Sequence, residues 1–381
     1  MQKENTITEV IQALLDISKP FPASLLYAFS DLEPNECQQL HEAWEKIQLP
    51  RRRALLEDLT EMAERDNLML FEEVGRIALE DSDDQVKISA IDLLFEAADT
   101  RLLPRFLFLL SESESKEVRA AAANALGPFV YLGEFDRIHS TLLKRVENTL
   151  LKAYQSDDSE LVRRRALESL GYSSREEVPD LLRAASARPE ETWLESALFA
   201  MGKSADEQWE AFVLAHLNDD SLPVRLQAVH AAGELALEKA RATLLRALDR
   251  EFENAELRRE AVWALSQIGG EGVEKAFERL LTRLDDDEDM DLVEEAMDLL
   301  SFTEDKEIFS LMDLGLDEDL EKSLDRENSF GLDRDEEEES WESRGYNQEE
   351  WDAYTSDDDY DLDLDDEEDL DDDGYEDDDE F

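Results

Sequence analysis

Carboxylates at alternate positions near the C-terminus form the first pattern in this sequence that could bind a ligand. Their spacing is that of the oxygen ligands at positions 1, 3, 5, 7, 9 and 12 of a calcium-binding loop. The sixth position is Leu362, where such a loop needs glycine for its sharp turn. We therefore expect weak, diffuse cation binding here and no metal site. The residues are Asp357, Asp359, Asp361, Asp363, Asp365 and Glu368.

Nucleophiles and imidazoles are too few and too scattered to predict a catalytic site. The single cysteine, Cys37, has no base beside it, and one cysteine forms neither an intrachain disulfide nor a cysteine zinc site. The four histidines do not cluster, and His216 falls on an apolar helix stripe. Glycine-rich phosphate loops, GxSxG elbows and HExxH motifs do not occur. The sequence predicts a protein that is not an enzyme and has no catalytic residue, metal or cofactor.

Three consecutive arginines, Arg163 to Arg165, stand in a chain of formal charge -61. They could bind phosphate, or they could belong to a repeated structural unit. Successive residues of a helix point about 100° apart, so three in a row fan around roughly 200° and cannot form one flat patch. Spacing favours an ion pair of Arg164 with Glu168 at i+4. Arg165 is then left over for a partner.

The acidic charge is uneven, since residues 301–381 carry 38 Asp+Glu and only 5 Lys+Arg. Such a surface disfavours DNA, RNA and anionic membranes, because phosphate contacts need Lys and Arg. It favours basic proteins, metal cations, or no electrostatic partner at all. The first residues lack the order of a signal peptide, and the most apolar run, 102–110, is too short to cross a bilayer. We expect a cytoplasmic protein that binds no membrane.

One helical segment recurs along the chain, and its central alanines mark the register. The segments begin as EVRAAAANALG, LVRRRALESLG and PVRLQAVHAAG, and successive alanines are 32, 44, 31, 31, 33 and 35 residues apart. Apolar residues at i, i+4, i+7 and i+8 predict one buried helix stripe, and the long interval predicts an insertion around residues 127–138. Glycines at 171, 202 and 269 are expected to end helices in left-handed turns. The alanines are Ala90, Ala122, Ala166, Ala197, Ala228, Ala261 and Ala296.

A second amphipathic helix precedes each of these segments, and short links such as residues 156–160 offer Asp and Ser for helix starts. The pattern [DS]-x-x-V-R-x-x-A-x-x-A-L-G resembles the HEAT-like repeats of phycobilisome-lyase-type proteins over roughly residues 68–301. The resemblance implies an all-α fold, an α-solenoid in which helix pairs stack side by side. It also implies that the arginine after the valine, Arg163 in one unit, meets an acidic residue near the inter-helix turn and ties neighbouring repeats.

Three regions follow from these patterns. Residues 1–67 are predicted to be atypical N-terminal helices that cap the solenoid, and 68–314 to be the HEAT-like repeats, closed by a short helix near residues 306–314. Residues 315–381 are predicted to be a disordered acidic tail, because like charges dilute their apolar residues. Trp193, Trp209 and Trp263 fall on or beside helix stripes and are predicted to be core residues.

The function predicted first is a non-catalytic protein–protein interaction scaffold that uses the groove lined by the second helices. The alternative is an acidic decoy or chaperone, whose tail covers the nucleic-acid-binding surface of a basic protein. A remote alternative, implied by the resemblance alone, is a bilin-lyase-like enzyme, although no chromophore site can be identified. The candidate partner-binding residues are Arg165, Gln227 and Arg259 in the repeats, and Trp341 and Trp351 in the tail.

Overall fold

A computed structural model describes residues 7–66, 68–97, 99–250 and 254–311 of the chain. Within these ranges every regular element is a helix. The α-helices are α1 (Ile7–Leu15), α2 (Pro34–Trp44), α3 (Leu49–Arg65), α4 (Glu72–Leu79), α5 (Asp84–Leu93), α6 (Leu103–Glu112), α7 (Lys116–Ala125), α8 (Gly127–Glu134) and α9 (Ser140–Ser156). They continue as α10 (Glu160–Leu170), α11 (Val178–Ser186), α12 (Glu191–Lys203), α13 (Glu210–His216), α14 (Leu222–Glu234), α15 (Arg241–Arg250), α16 (Ala255–Ile268), α17 (Val273–Leu281) and α18 (Asp287–Leu311).

The helices form two rows, which confirms the predicted stack of helix pairs. The second helices of the pairs are α3, α5, α7, α10, α12, α14, α16 and α18, and each packs against the next along the row. The first helices α4, α6, α9, α11, α13, α15 and α17 each pack against the second helix that follows in sequence. Their buried stripes join in one continuous hydrophobic core. This is an all-α solenoid, in which a helix pair buries its apolar stripe only because its neighbours cover it.

Alanine in the second helices lets neighbouring pairs approach closely. All seven register alanines are buried, and valine four residues earlier is buried in most units, as in Val162 before Ala166. The links cap several of the second helices, including α5, α7, α14 and α16. The Ser221 side chain, for example, accepts a hydrogen bond from Val224 N, and Asn254 accepts one from Leu257 N at 2.9 Å. Such caps satisfy backbone donors that the first turn leaves without partners.

Two of the three glycines predicted to end helices have a different role. Gly269 has the expected positive φ of 59°, but Gly171 has φ -55° and Gly202 lies within α12. A β-carbon on Gly171 would lie 2.6 Å from both the Cα and the carbonyl oxygen of Ala200 in the next second helix. These two glycines are therefore needed because adjacent backbones nearly touch, and not because the chain turns there.

The arginine after the valine joins neighbouring units in part of the stack, as the resemblance implies. Arg119 of α7 donates to both carboxylate oxygens of Asp157, at 2.8 and 3.0 Å, in the link of the following unit. Arg258 of α16 makes the same kind of pair with Asp289 at the start of α18. Arg163 instead donates to the carbonyl oxygen of Asp157 in its own link, at 2.6 Å. Its role is structural, but within one unit.

The predicted insertion is a helix of its own, while the predicted closing helix is not separate. α8 occupies the long interval between α7 and α9 and packs against α9 and α10. At the other end α18 is one helix through Leu311, so its last turns replace the short separate helix expected near residues 306–314. No helix in the described ranges is both long and apolar enough to cross a membrane.

Candidate partner-binding surface

Partly exposed aromatic side chains run from α8, past the end of α10, to the second helices α12, α14 and α16. The ring of Phe135, just after α8, is 4.8 Å from that of Tyr131 on α8, and Tyr131 is 6.0 Å from Tyr172 just after α10. Phe199 on α12 then lies 5.9 Å from His230 on α14, which stacks on Trp263 of α16 at 4.6 Å. We call these six residues the aromatic row. The members are Phe135, Tyr131, Tyr172, Phe199, His230 and Trp263.

The repeat places these rings on one face. Phe199, His230 and Trp263 each stand two positions after the register alanine of their helix. Two helical steps rotate a side chain by about 200°, away from the buried stripe. The side chains one position before and six positions after the alanine leave the helix within about 60° of the same outward direction. In α12, α14 and α16 the position two after the alanine holds a partly exposed ring, and the position six after it is also partly or fully exposed. Ser196, one position before the alanine of α12, is buried.

A lysine and a glutamate close the gap between the rings. The ammonium of Lys203 lies 5.4 Å from the centre of the Phe199 ring and 5.8 Å from that of Tyr172. It also forms an ion pair with Glu234 of α14. Burial alone would raise the pKa of Glu234, but contacts with His230 and Lys203 outweigh it and lower that pKa to about 2. This carboxylate is therefore ionised at any physiological pH.

His230 is enclosed by charge as well as by rings. Its Nδ1 lies 2.9 Å from Glu260 Oε1, and its Nε2 lies 3.3 Å from Glu234 Oε1, without the alignment of a good hydrogen bond. Burial and the ammonium of Lys203 oppose protonation, whereas the two carboxylates favour it. The carboxylates dominate and raise the pKa of His230 above its ordinary value of 6.5. The ring lies between Phe199 and Trp263, and its protonated form is the one that the two carboxylates favour.

The three repeat residues predicted to contact a partner lie on or beside this face. Arg165 and Arg259 are exposed, with 44% and 48% of their side chains accessible, but each already has an acidic partner. Arg165 bonds to Glu168 at 2.5 Å, and Arg259 to Asp289. Gln227 is half-buried, and its side-chain oxygen has no hydrogen-bond partner. Their contact with a partner stays a prediction.

Two details of the sequence interpretation are wrong here. Arg164 does not pair with Glu168; its guanidinium reaches across to Ser196 Oγ on α12 at 3.1 Å, because α10 and α12 approach so closely. Trp263 packs against the core but is partly exposed in the aromatic row, so it is not fully buried as predicted, whereas Trp193 and Trp209 are buried. The signal for the row was present in the sequence. It is the aromatic or imidazole ring at the same off-stripe position of three successive repeats.

The remaining predicted sites fall outside the part of the chain that the structure describes. Trp341, Trp351 and the carboxylates from Asp357 to Glu368 all lie beyond residue 311. Among the described residues, no three His, Cys, Asp or Glu side chains are grouped so as to hold a metal ion.

Comparison with known proteins identifies the repeat over part of the chain. Residues 210–301, which contain α13 to most of α18, match the family described as HEAT repeats. The predicted resemblance to HEAT-like repeats is confirmed there, and the earlier helix pairs have the same arrangement. No curated protein matches the sequence.

Several solved structures overlap with this chain at low similarity. The CpcE–CpcF complex of phycocyanin lyase from Nostoc is 16% identical, with a TM-score of 0.45, over 71% of this chain and 95% of that one. Human deoxyhypusine hydroxylase is 18% identical, with a TM-score of 0.32, over 78% of this chain and 96% of that one. Yeast importin-beta (Kap95p) is 13% identical, with a TM-score of 0.40, over 77% of this chain and 46% of that one. These similarities transfer neither an activity nor a partner.

Proposed function

We propose that this HEAT-like repeat protein is a non-catalytic scaffold, and that it binds a protein partner on the face of its second helices, along the aromatic row. The observation that carries the proposal is the row itself, because rings of consecutive repeats line one surface without being buried. Tyr131 and Phe135 are 49% and 61% exposed. Aromatic side chains of this kind supply much of the binding energy at protein interfaces.

Order in the surrounding side chains supports the same proposal. Lys203, Glu234, His230 and Glu260 hold one another through ion pairs on this face. A partner that binds there does not have to order these long side chains, and that ordering is a principal entropic cost of association. The face is therefore preorganised for a ligand that spans several repeats.

Site-specific photocrosslinking in cells that contain the protein tests this proposal. A photoreactive residue in place of Arg165 or Arg259 is expected to form covalent adducts with a protein partner. The same residue in place of Lys144 or Lys275, which are exposed on first helices, provides the matched control. Adducts are expected only from the second-helix positions, and replacing Tyr131 and Phe135 by serine is expected to abolish them. Equal adducts from both sets of positions would refute the proposal.

The acidic decoy remains the second candidate, because 38 Asp+Glu lie in residues 301–381. A decoy should lose its partner when residues 315–381 are deleted. Its affinity should also fall steeply with salt, because exposed charges are screened within about 10 Å at 0.1 M ionic strength. A scaffold that uses the aromatic row should keep its partner through both changes. Adducts that depend on the tail but not on the row would favour the decoy.

A further inference from the structure

We propose that the segment held on the aromatic row is basic, with Lys or Arg side chains that lie over its rings and against three carboxylates of α18. This inference rests on the proposed function, because it names the chemistry of the partner that the same surface takes.

The protein itself shows how a cation is held on this surface. Lys203 places its ammonium within 6 Å of two ring centres, Phe199 and Tyr172, and pairs it with Glu234. A cation at such a distance is attracted by the negative face of an aromatic ring, more strongly the further it is desolvated. One cationic side chain is therefore already bound in the manner that we propose for the partner.

Other rings of the row have no Lys or Arg of the described chain over them, although one face of Trp263 carries the imidazole of His230. Tyr131, Phe135 and Trp263 contact neighbouring rings, but no Lys or Arg of the described residues stands over any of the three. These rings lie at the two ends of the row, with the Lys203 position between them. A basic segment that crosses the surface could therefore place cationic side chains at both ends.

Carboxylates continue the row beyond its last ring. In α18 the position two residues after the register alanine, which holds Phe199, His230 and Trp263 in earlier units, is occupied by Asp298. Glu294 and Glu295 occupy the positions just before that alanine. All three are exposed, while Val293, Ala296 and Leu300 of the same helix are buried against the stack. None of the three has an ion-pair partner among the described residues.

Charge distinguishes a basic segment from the other segments that could bind on this surface. The chain's own residues 312–381 are strongly acidic, so placing them on this face would set them against Glu294, Glu295 and Asp298. A neutral apolar helix would cover those carboxylates without compensating their lost hydration, which is costly. A basic segment can place its cationic side chains over the rings and also form ion pairs with the carboxylates. The charge of -61 on the whole chain would also accelerate its approach.

Binding of defined peptides to the full-length chain tests the inference. The probes are a labelled peptide of repeated Leu-Arg-Ala units and a twin with Gln in place of each Arg, followed by fluorescence anisotropy. Because the acidic C-terminal residues can also bind a basic peptide, the titrations use a full-length background in which Asp and Glu of residues 357–381 are replaced by Asn and Gln. Ionic strength is about 0.15 M, where the Debye length is about 8 Å.

Two variants and one matched control give the result. Replacing Glu294, Glu295 and Asp298 by Gln, Gln and Asn is expected to weaken binding of the Arg peptide about fivefold to thirtyfold. The same charge change on and after α17, at Glu274, Glu278 and Asp285, all exposed, is expected to change binding less than twofold.

The ring variant combines Tyr131→Leu with Trp263→Leu, which keeps apolar surface but removes the ring faces. We expect about tenfold weaker binding of the Arg peptide. Circular dichroism and thermal midpoints establish that each variant is folded.

The outcomes separate the two proposals. The inference of a basic partner is wrong if the Arg peptide does not bind. It is also wrong if the control variant weakens binding of the Arg peptide as much as the α18 variant does. If the Gln twin binds as tightly as the Arg peptide and depends on the rings, the row is still a docking surface, and only the charge of its partner is wrong. If the ring variant binds the Arg peptide normally while the crosslinks described above disappear with Tyr131 and Phe135, the proposed function stands without this inference.

Discussion

Replacing Gly171 by alanine measures how closely neighbouring second helices approach. The backbone of Gly171 has φ -55° and ψ -26°, which alanine adopts without strain. In an open helical position the change from glycine to alanine stabilises a protein by about 0.5–1 kcal/mol. A destabilising effect at this position therefore has to come from the neighbouring helix.

The magnitude follows from the contacts that the new methyl group would make. It would lie 2.6 Å from the Cα and the carbonyl oxygen of Ala200 and 2.9 Å from its Cβ, where ordinary contacts begin at 3.4 Å. The two helices would have to separate by about 0.8 Å, the difference between those distances. Overpacking of this kind costs about 1–3 kcal/mol. We expect Gly171→Ala to lower the free energy of unfolding by about 2 kcal/mol.

Gly133 in α8 provides a matched control, because there the obstacle is a side chain. A methyl group on Gly133 would lie 2.6 Å from Cδ1 of Leu143. Leu143→Ala should remove most of the penalty of Gly133→Ala, whereas Ala200→Gly should remove little of the penalty at Gly171. Urea unfolding followed by circular dichroism gives the free energies. Hydrogen exchange of α10 and α12 shows whether the loss is local.

Two results would contradict the reasoning. If Gly171→Ala leaves stability unchanged or raises it, the adjacent backbones are not in contact. If Ala200→Gly rescues it fully, the contact is between side chains, and the glycine is not required by the approach of the backbones.

Arg119, Ala205 and His230 each have a contact or a backbone conformation whose contribution to stability can be measured. Arg119→Met leaves the nearly buried carboxylate of Asp157 without its bidentate partner, and we expect it to lower the free energy of unfolding in urea by about 3 kcal/mol. Arg183→Met removes one partner of an exposed ion pair and should lower it by under about 0.5 kcal/mol. Ala205 has a positive φ of 50°, so Ala205→Gly should stabilise the protein by about 0.5–1 kcal/mol, seen as a higher urea midpoint; a lower midpoint would be evidence against backbone strain at this turn. The pKa of His230 is raised in the folded state. Its contribution to stability is therefore complete below pH 6.5 and is lost as the pH rises through the folded-state pKa. The total loss is about 1.4 kcal/mol for each unit by which the folded-state pKa exceeds 6.5. Unfolding of the wild type and His230→Gln between pH 6 and pH 9 measures this, and a difference that grows with pH would contradict it.

Much of the fold could be predicted from the register alanines. Small residues at a fixed position of each repeat require helices that pack closely, and seven of them, with five of their six intervals at 31–35 residues, indicate a stack. The insertion was predicted from the one long interval, and α8 occupies it. The stack is predictable because the residues that form each buried stripe recur at a fixed period in the sequence, and each stripe is covered by the neighbouring repeats.

What the sequence did not predict depends on distances between helices. Nothing in the order of residues shows that Gly171 faces a backbone 2.6 Å from where a methyl group would lie, so a turn was the natural interpretation. Spacing along one helix favoured Glu168 as the partner of Arg164, but Ser196 of the next helix lies within reach. Trp263 was assigned to the core because it adjoins the stripe. Its position two residues after the alanine directs it outward instead.

The modular origin of the aromatic row also affects how its specificity can change. Phe199, His230 and Trp263 occupy the same outward position of three successive repeats, with the register alanines of α12, α14 and α16 spaced 31 and 33 residues apart. A substitution at one such position therefore exchanges one recognition element and leaves the buried stripes of all repeats intact. Loss or duplication of a whole repeat would shorten or lengthen the binding surface by one ring. Recognition by this protein can in this way be altered one repeat at a time, without a new fold.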